Sequence, residues 1–357
     1  MVLTPEERLL TLCARTRQSP GDVRELETLT GQQLDWAKIG RQVRRHGIEP
    51  LVDRALRSVE GEIPEEFLQS CRARARAVAM RNMQQYHELL RLLKRFEAKG
   101  IPVIPFKGPT LAVQAYGDVA YRPFVDLDIL VPRECVVDAR SLLEDEEYQP
   151  VKQFKPEEEK EYVDTKLGYE FINREKRTVV EVHWSFLFDI YAFELSPEEV
   201  WQRSHYVNLS GVSVQMMAPE DMLIYLCSHG TKHRWMRLPW IADVAEFVHA
   251  RPDLAWDTVI ERATALGCLR MVSLGLYLSQ TLLGAKVPCH VRDVISNDTK
   301  VELMAEKIAA DWLFRETQSA TTSDFEVFRF HVKERERWRD RWPYIKHHLS
   351  LWMPRLR

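Results

Sequence analysis

The segment Phe124-Val-Asp-Leu-Asp-Ile-Leu-Val131 decides how this chain reads. Val125, Leu127, Ile129, Leu130 and Val131 predict a largely buried strand over residues 126 to 131. Side chains alternate across a strand, so Asp126 and Asp128 share one face while Leu127 and Ile129 share the other. Two carboxylates at that spacing repel each other unless a cation lies between them. Surface acids on a half-solvated strand are the plain alternative. The aliphatic flanks argue for burial, where a carboxylate without a partner is costly. Asp126 and Asp128 are therefore expected to bind metal.

Further along, Thr178-Val-Val-Glu-Val-His-Trp184 carries the same pattern: Glu181 and His183 project from one face while Val180 and Val182 pack on the other. Taken alone, Glu181 has the plain reading of a surface residue on a hairpin. Together with Asp126 and Asp128 it makes an oxygen-rich site suited to one or two Mg²⁺ ions. Such ions can hold a nucleoside triphosphate, activate an attacking hydroxyl and stabilise departing pyrophosphate in an in-line displacement.

Upstream, Lys107-Gly-Pro-Thr110 lies where a short apolar run gives way to a helix. Glycine lets the backbone approach a ligand, and a helix start offers unpaired N–H groups to phosphate. Pro109 removes one donor, leaving Thr110, Leu111 and the Thr110 hydroxyl as candidates. By itself a Gly-Pro at such a position is usually a turn and nothing more.

Phe106-Lys-Gly-Pro109, Tyr121-Arg-Pro-Phe-Val-Asp-Leu-Asp-Ile-Leu-Val131 and Val180-Glu-Val-His-Trp184 together resemble the motifs of the polymerase-β-like nucleotidyltransferase superfamily. More narrowly they resemble its bacterial branch of uncharacterised nucleotidyltransferases. The resemblance continues through Leu223 to Val248 and, more loosely, over most of the chain. It departs from the superfamily pattern at Pro109, where serine or glycine is usual, and in a long gap from Gly108 to Asp126. The resemblance implies that Asp126 and Asp128 ligate a catalytic metal pair, with Glu181 as third carboxylate, ligand or general base. Gly108 would sit against the triphosphate, and Lys107 and Arg122 would neutralise phosphate charge.

Around this core the pattern is helical. Helices are predicted from Pro5 to Arg15, Leu34 to His46 and Pro64 to Lys99, the last with an apolar face broken only at Asn82. Ile101 to Phe106 reads as a strand, Gly108 to Tyr116 and Glu134 to Glu146 as helices, and Tyr148 to Lys152 as an edge strand. Gly168 to Asn173 and Thr178 to Trp184 form a hairpin, and Ser196-Pro-Glu-Glu199 is a capping box. Tyr206 to Leu209 and Val212 to Met216 read as a second hairpin. From Pro219 the chain is helical, with breaks expected at Pro239, Pro252, Gly267, Pro288 and Pro343. The expected fold class is α+β: a small mixed β-sheet nucleotidyltransferase core flanked by N-terminal and C-terminal helical regions. The divisions fall at residues 1–96, 97–216 and 217–357. The acidic runs Glu144 to Glu147 and Glu157 to Glu161 read as solvated helix faces.

His229 and His233 lie one helical turn apart with Lys232 beside them. Zinc is disfavoured, since the glutamate of H-E-x-x-H and a third ligand are missing. One core and one solvated histidine is the bland reading. A basic lip of His229, Lys232, His233 and Arg234 meeting triphosphate oxygens fits better. Asp243 borders the acceptor pocket or serves the helix dipole. Arg335, Arg337, Arg339 and Arg341 with Trp338 and Trp342 invite a nucleic-acid reading. The interleaved Glu334, Glu336 and Asp340 favour an ordinary charged helix surface, so a nucleic-acid partner is not the favoured one.

Composition sets the outer bounds. The 357 residues, 45% hydrophobic and 29% charged, suffice for two or three packed units. A formal charge of −3 excludes a global basic field for non-specific nucleic-acid binding. Six scattered cysteines without a C-x-x-C pair argue against a disulfide framework and a zinc cage. Met-Val-Leu-Thr-Pro-Glu-Glu-Arg lacks a signal peptide's basic start and apolar run, and no stretch nears the roughly 20 apolar residues of a membrane span. A cytoplasmic protein with no membrane partner is expected. The activity expected is Mg²⁺-dependent transfer of a nucleoside monophosphate, by default AMP from ATP, to an acceptor hydroxyl, with a small molecule favoured. Two rivals stand beside it: a protein- or tRNA-modifying, toxin-like transferase, and a catalytically inactive helical interaction protein.

Overall fold

The computed structural model describes residues 2–153, 161–163, 168–186, 195–315 and 323–352. Five helices open the chain: α1 (Pro5–Cys13), α2 (Pro20–Thr30), α3 (Trp36–His46), α4 (Glu49–Leu56) and α5 (Glu65–Ala98). Of these, α2 and α4 are additional to the sequence expectation. Ser19 and Asp22 cap α2 reciprocally with Pro20 in its first turn, a signal the sequence does carry. Helix α4 is buried at nearly every position, which erases the polar stripe that reveals an amphipathic helix.

A mixed five-stranded sheet follows, in the order β1-β2-β5-β4-β3, from β1 (Ile104–Pro105), β2 (Asp126–Leu130), β3 (Gln149–Pro150), β4 (Gly168–Asn173) and β5 (Thr178–His183). β2 and β5 run parallel and the other neighbours antiparallel. The predicted strand Ile101 to Phe106 shrinks to β1, because Pro102 and Pro105 have no N–H to give a ladder. Helix α6 (Gly108–Leu111) continues as a wider turn through Tyr116, and α7 (Val136–Asp145) follows β2.

One sheet face carries Leu127, Ile129, Phe171, Val180 and Val182 against Leu89, Leu92, Leu93 and Phe96 of α5 and Ala139, Leu142 and Leu143 of α7. Leu130, Ile104 and Phe106 join a second core instead, shared by α1 to α4 and the C-terminal helices. The two helical regions at the ends of the chain thus pack on each other. Glu146, expected to be solvated, is clamped by Arg91 and Arg95 of α5. The run Glu157 to Glu161 lies, apart from Glu161, outside the described residues.

Helix α8 (Pro197–Arg203) starts as predicted, with the Glu199 N–H donating to Ser196 Oγ at 3.4 Å. The Glu199 carboxylate pairs with Arg262 rather than closing the capping box. The hairpin β6 (His205–Leu209) and β7 (Val212–Met216) leads into α9 (Pro219–Lys232), α10 (Leu238–Ala250), α11 (Trp256–Leu266), α12 (Leu269–Leu283), α13 (Cys289–Ser296), α14 (Thr299–Lys307), α15 (Asp324–Glu334) and α16 (Trp338–Trp352). Pro343, expected to break the chain, lies inside α16. The tail arginines bind protein: Arg335 is buried on Glu334, and Arg337 donates to the carbonyls of Ala265 and Leu266. The end of that tail, residues 353–357, lies outside the described residues. Among the described residues no helix is long and apolar enough to cross a membrane.

The turn from α9 to α10 shapes one wall of the cleft. Arg234 and Trp235 both adopt left-handed backbone, φ 54° and 55°, which is costly for residues with a Cβ. What holds them is Trp235, fully buried in a notch where a Cβ on Gly230 or Gly275 would stand 2.3 or 2.9 Å from the indole.

Candidate active site

The parallel register of β2 and β5 sets Asp128 opposite Glu181 and Leu130 opposite His183. Val180 and Val182 are fully buried on one face of β5, so Glu181 and His183 share the other. His183 Nε2 lies 3.2 Å from Asp128 Oδ1 and 3.2 Å from Glu181 Oε2. One ligand atom from each of these three residues falls within 4.8 Å of the others. On β4, Gly168 pairs with His183; a Cβ there would stand 2.7 Å from the Val182 carbonyl oxygen and 3.3 Å from His183 Nδ1. Phe106 meets the imidazole edge-on at 5.2 Å.

Lys107 Nζ sits 2.8 Å from Asp128 Oδ1, near the rings of Phe106 and Tyr225. Burial would raise the Asp128 carboxyl, but Lys107 beside it and the His183 hydrogen bond hold it well below the usual carboxylate range. Asp126 is pushed up to about 6, by burial first and then by the Asp128 charge. Asp128 is only 2% exposed, and its Oδ2 is buried with no hydrogen-bond partner. A buried carboxylate with one oxygen left bare, and with ligand atoms of two further residues within 4.8 Å, fits a divalent cation. Asp126, earlier on the same strand face, stands outside this tight group and lines the adjoining cleft.

That cleft, about 320 Å³, is lined on the sheet side by Lys107, Gly108, Arg122, Asp126 and Asp128, and on the helical side by His229, Arg237, Trp240 and Asp243. Glu181, Thr110, Lys232 and His233 are not among its lining residues. Gly108 has φ +54°, and a Cβ on it would stand 3.0 Å from the Asp126 carbonyl oxygen. Its glycine is required by the close approach of this turn to β2.

Two expected phosphate contacts are otherwise engaged. Thr110 is fully buried, and its hydroxyl donates to the Lys107 carbonyl at 2.7 Å, locking the turn instead of facing a ligand. Arg122 donates to Asp243 Oδ1 and Oδ2 at 2.7 and 2.9 Å, and Tyr116 adds a hydroxyl at 2.8 Å. Burial works against the guanidinium charge, and Asp243 more than offsets it. Asp243 lines the cleft, and its carboxylate belongs to this clamp, beyond the first turn of α10.

The basic lip also changes character. Tyr225, His229, His233 and Trp240 form a ring-on-ring array with successive centroids 5.8, 4.7 and 4.7 Å apart. Burial, and then the Lys107 charge, keep His229 well below its ordinary pKa; burial and Lys232 bring His233 to about 4. Both imidazoles are neutral at pH 7. Lys232 is itself lowered, by burial and by Lys107, and Arg234 lies over the Trp312 ring. Neither histidine belongs to a metal-ligating group among the described residues.

His46, Arg237 and Trp240 line the cleft without having been singled out in the sequence. His46 Nδ1 accepts the Leu238 N–H at 3.1 Å, its Nε2 is buried without a hydrogen-bond partner, and burial pushes its pKa down to about 3. Its place at the end of α3, before the left-handed Gly47, is a visible helix stop, but only the tertiary contact with α10 brings it here.

Among solved structures, an antigenic nucleotidyltransferase-like protein from Paracoccidioides brasiliensis is 19% identical, with 58% of this chain and 94% of that one covered at a TM-score of 0.35. No curated protein matches. The family described as uncharacterised nucleotidyltransferase matches residues 32–284, which include every residue of the cleft and its carboxylates. With most of its length matched in this way, the chain belongs to that nucleotidyltransferase family.

Proposed function

We propose that the protein is a divalent-cation-dependent nucleotidyltransferase, transferring a nucleoside monophosphate, by default AMP from ATP, to the hydroxyl of a small-molecule acceptor. One observation carries the reading: Asp128 Oδ2, buried and bare, beside Glu181 on the neighbouring parallel strand. Asp128 and Glu181 are the carboxylates assigned to the first ion, and Asp126, which lines the cleft outside that group, to the second of the expected pair. These residues would hold Mg²⁺, as one ion or the expected pair, which would supply Lewis acidity for the transfer.

The acceptor oxygen bonds to the α-phosphorus as the bond to the bridging oxygen breaks, and pyrophosphate leaves with its electron pair. The hydroxyl proton passes to a carboxylate of the trio. Lys107, the Gly108 backbone, Arg237 and the neutral His229 border the space for the phosphates. Thr110 and Arg122 act from behind, fixing the turn and the loop. Lys232 and His233 support the same wall from outside the lining.

The test is a thermal-shift panel of the four nucleoside triphosphates with Mg²⁺, on the wild type and on Asp126→Ala/Asp128→Ala. A hundredfold excess over Kd stabilises by about 2.7 kcal/mol, and the double variant should lose that gain. If no nucleotide at millimolar concentration shifts the wild type, the proposal fails and the inactive interaction protein takes its place.

A further inference from the structure

We propose that His183 is itself a metal ligand, and that the centre Asp128–Glu181–His183 prefers a cation that accepts nitrogen, of the Mn²⁺ class, over Mg²⁺. The inference rests on the nucleotidyltransferase reading for what the ion does, and on geometry alone for where it binds.

His183 Nε2 is equidistant from a carboxylate oxygen of Asp128 and one of Glu181, at 3.2 Å each. A ring nitrogen carries at most one proton, so without an ion a single N–H must serve two acceptors while Asp128 Oδ2 receives nothing. An ion among the three residues resolves the first deficit by taking the Nε2 lone pair, and it adds positive charge beside a buried carboxylate whose second oxygen no protein donor reaches. Lys107 already serves Asp128 Oδ1, so Oδ2 is the free valence.

The ring is also set for this purpose. Gly168 leaves open the space beside Nδ1 that a Cβ would crowd, and Phe106 fixes the ring plane from its edge. Ligands held this way keep their geometry as the ion enters. Asp126, which would complete an all-oxygen set, falls outside the group. The set of two oxygens and one imidazole nitrogen differs from the near-octahedral oxygen shell that Mg²⁺ demands. Imidazole suits later first-row ions such as Fe²⁺ and Zn²⁺ best, and Mn²⁺, at the foot of that series, is the softer counterpart of Mg²⁺ and the one with a spectroscopic signature.

The experiment uses the full chain, stripped with chelator and reloaded with Mn²⁺ alone. Electron spin-echo modulation of the bound Mn²⁺ is expected to show coupling to ¹⁴N, lost in His183→Gln, with Asp128→Asn losing the ion altogether. Thermal-shift titration should show the wild type saturating at about tenfold lower Mn²⁺ than Mg²⁺, at least the scale on which the loss of an outer-shell partner acts, and His183→Gln should erase the difference. Bound Mn²⁺ without ¹⁴N coupling in the wild type overturns the inference, whether or not the variant folds. So does a Mn²⁺ preference that survives in folded His183→Gln. If nitrogen coupling is absent yet nucleotides still stabilise, this inference falls and the proposed function stands. If coupling is present and no nucleotide binds, the reverse holds.

Discussion

Arg122 and Asp243 are joined by two hydrogen bonds of 2.7 and 2.9 Å, and through them the loop that enters β2 is tied to α10 across the cleft. Both side chains are largely buried. Asp243→Ala leaves a guanidinium without its partner and should cost about 3–5 kcal/mol, read as a lower midpoint in urea denaturation. Arg122→Met/Asp243→Leu removes both charges and should lose markedly less. Equal losses would mean that the pair is not what fastens the loop.

Asn82 fastens the same loop to a second helix, α5. Its amide donates to the carbonyls of Val119 and Arg122 at 2.6 and 2.9 Å from a fully buried position on α5. Asn82→Leu strands two buried acceptors and should destabilise by about 1–3 kcal/mol. A change within a few tenths of a kcal/mol would show that water replaces the amide.

Gly108→Ala should cost about 1–2 kcal/mol for the left-handed backbone alone. The added methyl also presses on the Asp126 carbonyl oxygen, so turnover should fall more than stability. Calorimetry and initial rates, taken together, separate the two effects.

Stability should respond to pH through His46. Its folded pKa is pushed down to about 3 from an ordinary 6.5. Between those values the unfolded chain holds the extra proton, so stability rises with pH there. The contribution is fully present above about 6.5 and is lost as pH falls, by at most about 1.4 kcal/mol per unit. His46→Gln should flatten the urea-unfolding profile between pH 4 and 6.5; an unchanged slope would assign the acid sensitivity to other groups.

Asp128→Asn keeps the side chain's shape and removes the charge that Lys107 and His183 both meet. Nucleotidyl transfer should drop by at least about 10²–10³-fold, the usual effect of deleting one electrostatic contact at a reacting centre, because the ion is lost as well. A variant with more than a tenth of wild-type turnover would place the chemistry elsewhere.

The strands that bear the site are legible in the sequence because alternation is local: Leu127, Ile129, Val180 and Val182 announce the faces of β2 and β5 by themselves. Asn82 is legible too, as a gap in an apolar stripe, though not what fills the gap. Roles set by distant partners are hidden. Arg122 reads as a phosphate ligand until Asp243, 121 residues on, is found to hold it. The pair at positions 229 and 233 reads as basic until burial and neighbouring lysines are seen to keep both imidazoles neutral. His183 shares its face with Glu181 in the sequence, but its bridge to Asp128 exists only once the strand register is known.

The parallel pairing of β2 with β5 also dates the site within the life of the chain. Parallel strands cannot be joined by a tight turn, and Asp128 and His183 are 55 residues apart, so a long loop must close before they meet. The β4–β5 hairpin can form locally, with only four residues between its strands. A chain still emerging from the ribosome, or one truncated before His183, therefore contains both aspartates and no centre. On the proposed reading, such a chain should not take up the ion until β5 has paired with β2.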